Sequence, residues 1–408
     1  MAANFLGFLI PVYIAYVYGI SKDTDAFFFS YGLVVFGSTI FSGAVKSVIV
    51  PFLMERLPNK EALNRFLSSV FYYCFVYLGA ITVLSLVVLL IIDHYRNNNF
   101  IYYIGISMPI FFFTIINSFF YGILNSYGQF YLAETSPFSR AIIIYVTIFL
   151  FSSKLGLSAV ILGYNLGEIA KFIHLWYITK YRNKIDISFK SVDYDEVKLF
   201  IKEGSYQAIS TTISSASPII DKIVASFLVV GSLSILDYGN RLFMIFTVIL
   251  TSFLTIILSK WSADVVRNNF DFRKMNQIMV ITFSFSVVIF LITTILKFPI
   301  VNLLYPKINS SLRGVIGSVL ILNMAAFVFN AGNQIINRAT IAFKGTNILI
   351  QVSIVKSIAN VVFDILFVIY YGVIGIAIST IIVNFMGFVM NYYLFVKQKR
   401  NYQRAVVE

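Results

Sequence analysis

Runs of about 20 predominantly apolar residues, each long enough to cross ~30 Å of hydrocarbon, recur along this chain from its first residues to Val396. With 59% apolar and only 12% charged residues in 408, no fold in water could hide that surface. The expected fold is therefore an all-α polytopic membrane protein. The first run has neither a basic n-region nor a small-residue cleavage site, so it is read as a spanning helix rather than a signal peptide. Twelve helices are expected, over 3–18, 26–53, 66–92, 100–124, 137–153, 157–179, 199–229, 235–259, 276–296, 312–336, 346–370 and 373–396.

The longest polar connection divides the run of helices into equal halves. It gives an N-terminal six-helix lobe over 1–180, a cytoplasmic linker over 181–198, a C-terminal six-helix lobe over 199–396, and a basic tail over 397–408. A faint repeat supports the cut, since Gly156, Asn165 and Gly167 recur as Gly375, Asn384 and Gly387. Halves with an even number of helices point the same way, so the expected relation is a parallel pseudo-repeat around a central cavity.

The net charge of +13 does not imply nucleic acid, because the basic residues concentrate in alternate loops. Arg56, Lys60 and Arg65 lie in one such loop, Arg182, Lys184, Lys190 and Lys198 in another, and Lys397, Lys399 and Arg400 in the tail. That bias places both termini in the cytoplasm. Cys74 is alone, and His94 and His174 are far apart without thiol partners, so neither a disulfide framework nor a metal site is expected. No nucleotide-binding glycine loop and no nucleophile–base arrangement is present; the chain is read as a transporter without cofactors, not an enzyme.

Charges inside the spans carry the functional reading, since an unpaired charge in hydrocarbon costs ~3 kcal/mol or more. The basic set is Lys46, Arg140, Lys171, Lys202, Lys222, Arg241 and Lys356; the acidic set is Asp25, Glu168, Glu203, Asp221, Asp237 and Asp364. Arg140, Lys202 and Glu203 lie near helix ends and are read as structural or as snorkelling to the interface. Glu168 and Lys171, three apart, could pair on one helix. Asp221 and Lys222 are adjacent and must point in different directions. Lys46, Arg241 and Lys356 lie deep in apolar spans, which suits an anion, and Arg241 best of all because its planar fork can bond two phosphate oxygens. Lys222 joins them as a substrate-binding candidate. Asp25, Asp237 and Asp364 are the candidates for ion coupling. Ser30, Ser38, Thr39, Ser42 and Ser47 in the second helix, with Ser205, Thr211, Thr212 and Ser215 in the seventh, suggest walls that meet water or sugar, beyond close packing through small residues.

The stretch IIDKIVASFLVVGSLSILDYGNRL, followed by LSKWSADVVRNNFDFRKMNQ, resembles the seventh and eighth helices of the MurJ/MviN lipid-flippase family. Thr24 to Phe28 and the run Gly43-Ala44 to Val50-Pro51 are similar to the start and end of that family's second helix, and Ala342-Phe343-Lys344-Gly345-Thr346 resembles its turn into helix eleven. The match departs where the family has charges. Leu9-Ile10 stands at its first-helix Arg, Gly37-Ser38 near an Arg pair, Ser42 at a Glu, and Met244 at the Glu following the retained Arg241. These losses are similar to the Wzx-like branch of polysaccharide-unit flippases, which belongs with MurJ in the multidrug/oligosaccharidyl-lipid/polysaccharide (MOP) exporter superfamily.

The resemblance implies a monomeric flippase in the bacterial cytoplasmic membrane. Its partners would be membrane lipids and an undecaprenyl-pyrophosphate-linked glycan, either lipid II or a polysaccharide unit. A cation-coupled drug exporter of the same superfamily is the rival transporter and would call for an acidic cavity. A non-transporting scaffold would leave Lys46 and Arg241 without a purpose.

Overall fold

The computed structural model describes residues 2–407 except Leu57, Asn97, Lys184, Asp186, 188–192, Asn268 and Lys344. Among the described residues the elements are helices: α1 (Ala2–Tyr18), α2 (Lys22–Arg56), α3 (Lys60–Arg96), α4 (Asn99–Ser126), α5 (Phe130–Leu155), α6 (Ser158–Tyr177), α7 (Tyr194–Ser214), α8 (Ser217–Ser226), α9 (Ser232–Gly239), α10 (Arg241–Val266), α11 (Phe272–Ile295), α12 (Lys297–Leu304), α13 (Ser310–Ala342), α14 (Thr346–Tyr371) and α15 (Val373–Val407), with a π-helical turn over Ile178–Arg182 closing α6. Nine stretches among the described residues are long and apolar enough to cross a membrane. Side chains such as Leu84 on α3, Phe149 on α5 and Ile369 on α14 are exposed, as lipid-facing residues must be.

The expected spans match these helices, with two internal breaks. The span at 199–229 stops at Ser215 and restarts as α8, where Pro218 at the first turn has no N–H to continue the ladder. The span at 235–259 is α9 joined to α10 at Asn240, whose N–H still bonds to the Leu236 carbonyl and whose own carbonyl accepts from Met244. α12 lies in the connection between α11 and α13.

The chain forms two compact units, Ala26–Ser215 and Ala3–Asp25 with Ala216–Glu408. This division differs from the expected cut at 181–198, several residues of which lie outside the described ones. α7 groups with the earlier helices because Phe200 packs on Phe52 and Phe66 and Tyr194 on Tyr73, while the Asp193 N–H donates to Ser69 Oγ at 2.8 Å. α1 groups with the later helices, where Tyr238 donates its hydroxyl to the Gly19 carbonyl at 2.9 Å.

In the unit Ala26–Ser215, α4 packs against α3 and α6, and α5 against α6. Leu53, Phe66, Phe119, Phe120, Leu175 and Val197 form its buried core. Gly163 and Gly167 let α6 approach the backbone of α5 at Ile144 and Arg140. In the other unit α13 is central, touching α15, α10, α11 and α9, while α14 packs on α15. There a Cβ at Gly375 would run into the backbone of Phe367.

The two units repeat one another in a different register from that expected. α5 and α14 are both 26 residues long, and each ends on a glycine in the same positive-φ conformation, Gly156 (φ 57°, ψ −136°) and Gly372 (φ 55°, ψ −137°). Asn117 on α4 donates Nδ2 to the Glu168 carbonyl at 3.0 Å, and Asn333 on α13 donates Nδ2 to the Asn384 carbonyl at 2.9 Å. Both bonds span 51 positions of sequence. Gly156 therefore corresponds to Gly372, not Gly375, and Asn384 corresponds to Glu168, not Asn165. By the same step Arg140 on α5 corresponds to Lys356 on α14.

Candidate functional site

Among the described residues, the charges inside the spans lie in several separate places, each within one unit. The first is Asp237, near the end of α9 and 5% exposed. Lys222 on α8 reaches its Oδ1 at 3.1 Å, and Arg241, one turn on, meets its Oδ2. One carboxylate thus holds two cations, one from its own helix run and one from α8. The i,i+4 pair was visible in the sequence; the second cation was not, because Lys222 comes from a different helix. Tyr305 donates its hydroxyl to the Tyr238 carbonyl at 2.9 Å and packs at a tilt against that ring, fixing the turn between Asp237 and Arg241.

The second place lies behind it. Asp221 precedes Lys222 in α8 and points elsewhere, as adjacent residues on a helix must. Its Oδ1 accepts from Asn360 Nδ2 at 2.7 Å, and the same nitrogen donates to Asp364 Oδ2 at 2.8 Å. Asp364 is fully buried. Two carboxyls from different helices thus share one amide donor in the interior of the unit. Asp221 was not among the coupling candidates, and nothing local to it marks Asn360, 139 positions away.

The third is a cap. Asp25, in the first turn of α2, accepts from the backbone N–H of Gly231 and, at 2.8 and 2.6 Å, from the N–H and hydroxyl of Ser234. Gly231 has φ 99°, and the donors are the first N–H groups of α9, where a carboxylate is stabilised by both the bonds and the helix dipole. Asp25 is thereby engaged in a structural cap.

The fourth lies in the unit Ala26–Ser215. Arg140 Nε pairs with Glu168 Oε1 at 2.8 Å, and Asn117 Nδ2 donates to Glu168 Oε2 at 2.8 Å. Arg140 takes the structural of its two expected roles rather than snorkelling, and the donor that pairs with Glu168 is across the helix interface rather than Lys171 on its own helix. Lys46 stands over the Tyr121 ring at 4.5 Å, and the Tyr121 hydroxyl bonds to Glu134. Lys356, in the other unit, reaches Asn384 Oδ1 at 3.3 Å.

The hydroxyl-rich walls are less available than expected. Ser38, Thr39, Ser42, Ser47, Ser205, Thr211 and Thr212 each donate to a carbonyl three or four residues back on the same helix, leaving only acceptor capacity.

An all-helical membrane fold with buried cations and a separate buried carboxyl pair defines a multi-pass transporter. The fold matches that of an inward-facing multidrug resistance MATE family transporter of the MOP superfamily, with a TM-score of 0.81 at 14% identity over 98% of this chain and 96% of that one. A family model for the lipid II flippase MurJ matches residues 14–408, and the chain belongs to that family. A solved "Lipid II flippase MurJ, inward closed conformation" superposes with a TM-score of 0.81 at 25% identity, covering 98% of this chain and 89% of that one. Among curated relatives, the lipid II flippase MurJ of Thermosipho africanus is 26% identical over 398 residues, 94% of this chain and 81% of the relative. The probable lipid II flippase MurJ of Buchnera aphidicola subsp. Baizongia pistaciae is 28% identical over 297 residues, 68% of this chain and 57% of the relative.

Proposed function

We propose that this protein flips an undecaprenyl-pyrophosphate-linked glycan, lipid II in the first instance, from the cytoplasmic to the outer leaflet of the bacterial cytoplasmic membrane. The observation that carries the reading is the buried cluster in which Asp237 positions Lys222 and Arg241. Two neighbouring cations attract a pyrophosphate, and the guanidinium can bond two of its oxygens. Lys46, in the unit Ala26–Ser215, is a separate candidate cation for the cargo. Coupling is assigned to Asp364 with Asp221, rather than to Asp25 or Asp237, whose oxygens are held by a helix cap and by two cations.

Depletion tests the cargo. Lipid II should accumulate and cell-wall growth should stop when the protein is withdrawn. Continued peptidoglycan synthesis with lipid-linked repeat units held on the cytoplasmic face would instead select a polysaccharide unit. That second reading is favoured by Leu9, Ile10, Ser42 and Met244, which stand where the resemblance calls for charge.

Both termini are assigned to the cytoplasm from the loop charge bias. Cysteines introduced singly at Asn98 and Ser310 should react with an impermeant thiol reagent from outside, and those at Asn59 and Asn269 should not; the opposite labelling would reverse the assignment.

A further inference from the structure

We propose that α12 and the start of α13 form a binding site for an anionic phospholipid of the outer leaflet, with its phosphate between Lys297 and Arg313 and its acyl chains beside Phe298 and Leu303. The proposal goes beyond the flippase reading and does not depend on it, since the site shares no residue with the cluster at Asp237.

α12 has the form of a helix that lies at a membrane surface. Its eight residues, Lys297–Leu304, make about 12 Å of helix, too short to cross ~30 Å of hydrocarbon. It joins the ends of two apolar spans, α11 at Ile295 and α13 at Ser310, so it stands where hydrocarbon gives way to headgroups. Val301 is buried while Phe298 and Leu303 are exposed, which leaves an apolar outer face with cations at its edge.

Packing brings the two cations together. Lys297 lays its side chain over Gly317 on α13, where a Cβ would come within 2.6 Å of the lysine Cε, and its Nζ stands 3.4 Å from Ser318 Oγ. Arg313, one turn earlier on α13, reaches back to Asn302 Oδ1 on α12 at 2.7 Å, and its Nε is buried without an acceptor. The oxygens they meet among the described residues are neutral, and no Asp or Glu occurs from Phe272 to Phe363. Like charges held a turn apart repel unless an anion joins them. Orientation does not explain the pair, because the loop charge bias keeps basic residues away from the outer side.

The chemistry selects a phospholipid. A phosphodiester answers both cations at once, the guanidinium through its fork and the ammonium as a point charge. The exposed Phe298 and Leu303 set the site against acyl chains, so the phosphate arrives attached to them. A zwitterionic headgroup brings an ammonium of its own, which favours phosphatidylglycerol over phosphatidylcholine.

The full-length protein in phosphatidylcholine nanodiscs, doped with a phosphatidylglycerol that carries a photoreactive headgroup, tests the site. Crosslinks are expected within 297–313, suppressed by unlabelled phosphatidylglycerol but not by inorganic phosphate. Lys297→Gln with Arg313→Gln should lower them roughly tenfold or more, and Arg313→Lys should retain them. Arg313→Glu gives Lys297 a carboxylate in place of the lipid, and should lower them as far while thermal unfolding stays near that of wild type, which separates lost binding from lost folding. Crosslinking of the double Gln variant equal to wild type, or equal crosslinking by a phosphatidylcholine probe, would overturn the site. Suppression by inorganic phosphate as strong as by phosphatidylglycerol would overturn the lipid as its occupant. Each of these results leaves the cargo assignment standing, since depletion tests that separately.

Discussion

Asp237→Asn should remove the carboxylate that Lys222 and Arg241 share and lower stability by ~3–5 kcal/mol, the cost of removing one partner from a buried ionic group. Their side chains are 18% and 16% exposed and that of Asp237 4%, so solvent can screen little of this. Thermal unfolding in detergent and abundance in the membrane would measure the loss. Removing all three charges, as Asp237→Asn with Lys222→Met and Arg241→Gln, should recover most of the stability because no buried charge is left unpaired. Transport should not recover with it. In Arg241→Lys some flipping should persist, since charge survives without the bidentate fork, and Arg241→Gln should have none. Flipping by the triple variant near the wild-type rate would make the cluster purely structural and remove Arg241 and Lys222 from the binding site.

Asp364→Asn is the second change with a large expected effect, and it acts on coupling rather than on folding. The substitution keeps the shape and the place beside Asn360 but removes one of the two carboxyls, so a proton or small cation no longer has a pair to bridge. Reconstituted vesicles should then flip with a response to an imposed proton or sodium gradient that is weaker by roughly 5- to 150-fold, the span of a coupling free energy of about 1–3 kcal/mol. Asp221→Asn should behave alike, and the two together should be no worse than either, as members of one unit are not additive. A gradient response in Asp364→Asn equal to that of wild type would exclude the pair as the coupling site.

The helices were legible because lipid imposes one rule on every span. The expected 346–370 is observed as Thr346–Tyr371. The partners of the charges were legible only where they lie on one helix. Asp237 and Arg241 are a turn apart and pair as the spacing suggests, whereas Lys222 joins them by a route that depends on how α8 packs against α9. For Glu168 the local rule favoured Lys171, yet Arg140 on α5 is the observed partner, brought in by the close approach at Gly167. Asp25 was visible as a charge at the start of a helix, but the donors it caps lie more than 200 positions later. The repeat was detected and misaligned, because matching glycines and asparagines by type compares letters, while equivalence is set by which residue closes a helix or accepts a bond.

From Asn117 to Glu168 and from Asn333 to Asn384, the chain passes through three helices and two turns in the same number of steps. One residue more or fewer inside a helix would turn everything beyond it by about 100° and carry a polar face round to the lipid. Side chains in the two copies have drifted, even to the exchange of a carboxylate for an amide, but the count has not. The copies act as two rulers cut to one length, and a reader of either can find the matching mark on the other without consulting a single side chain.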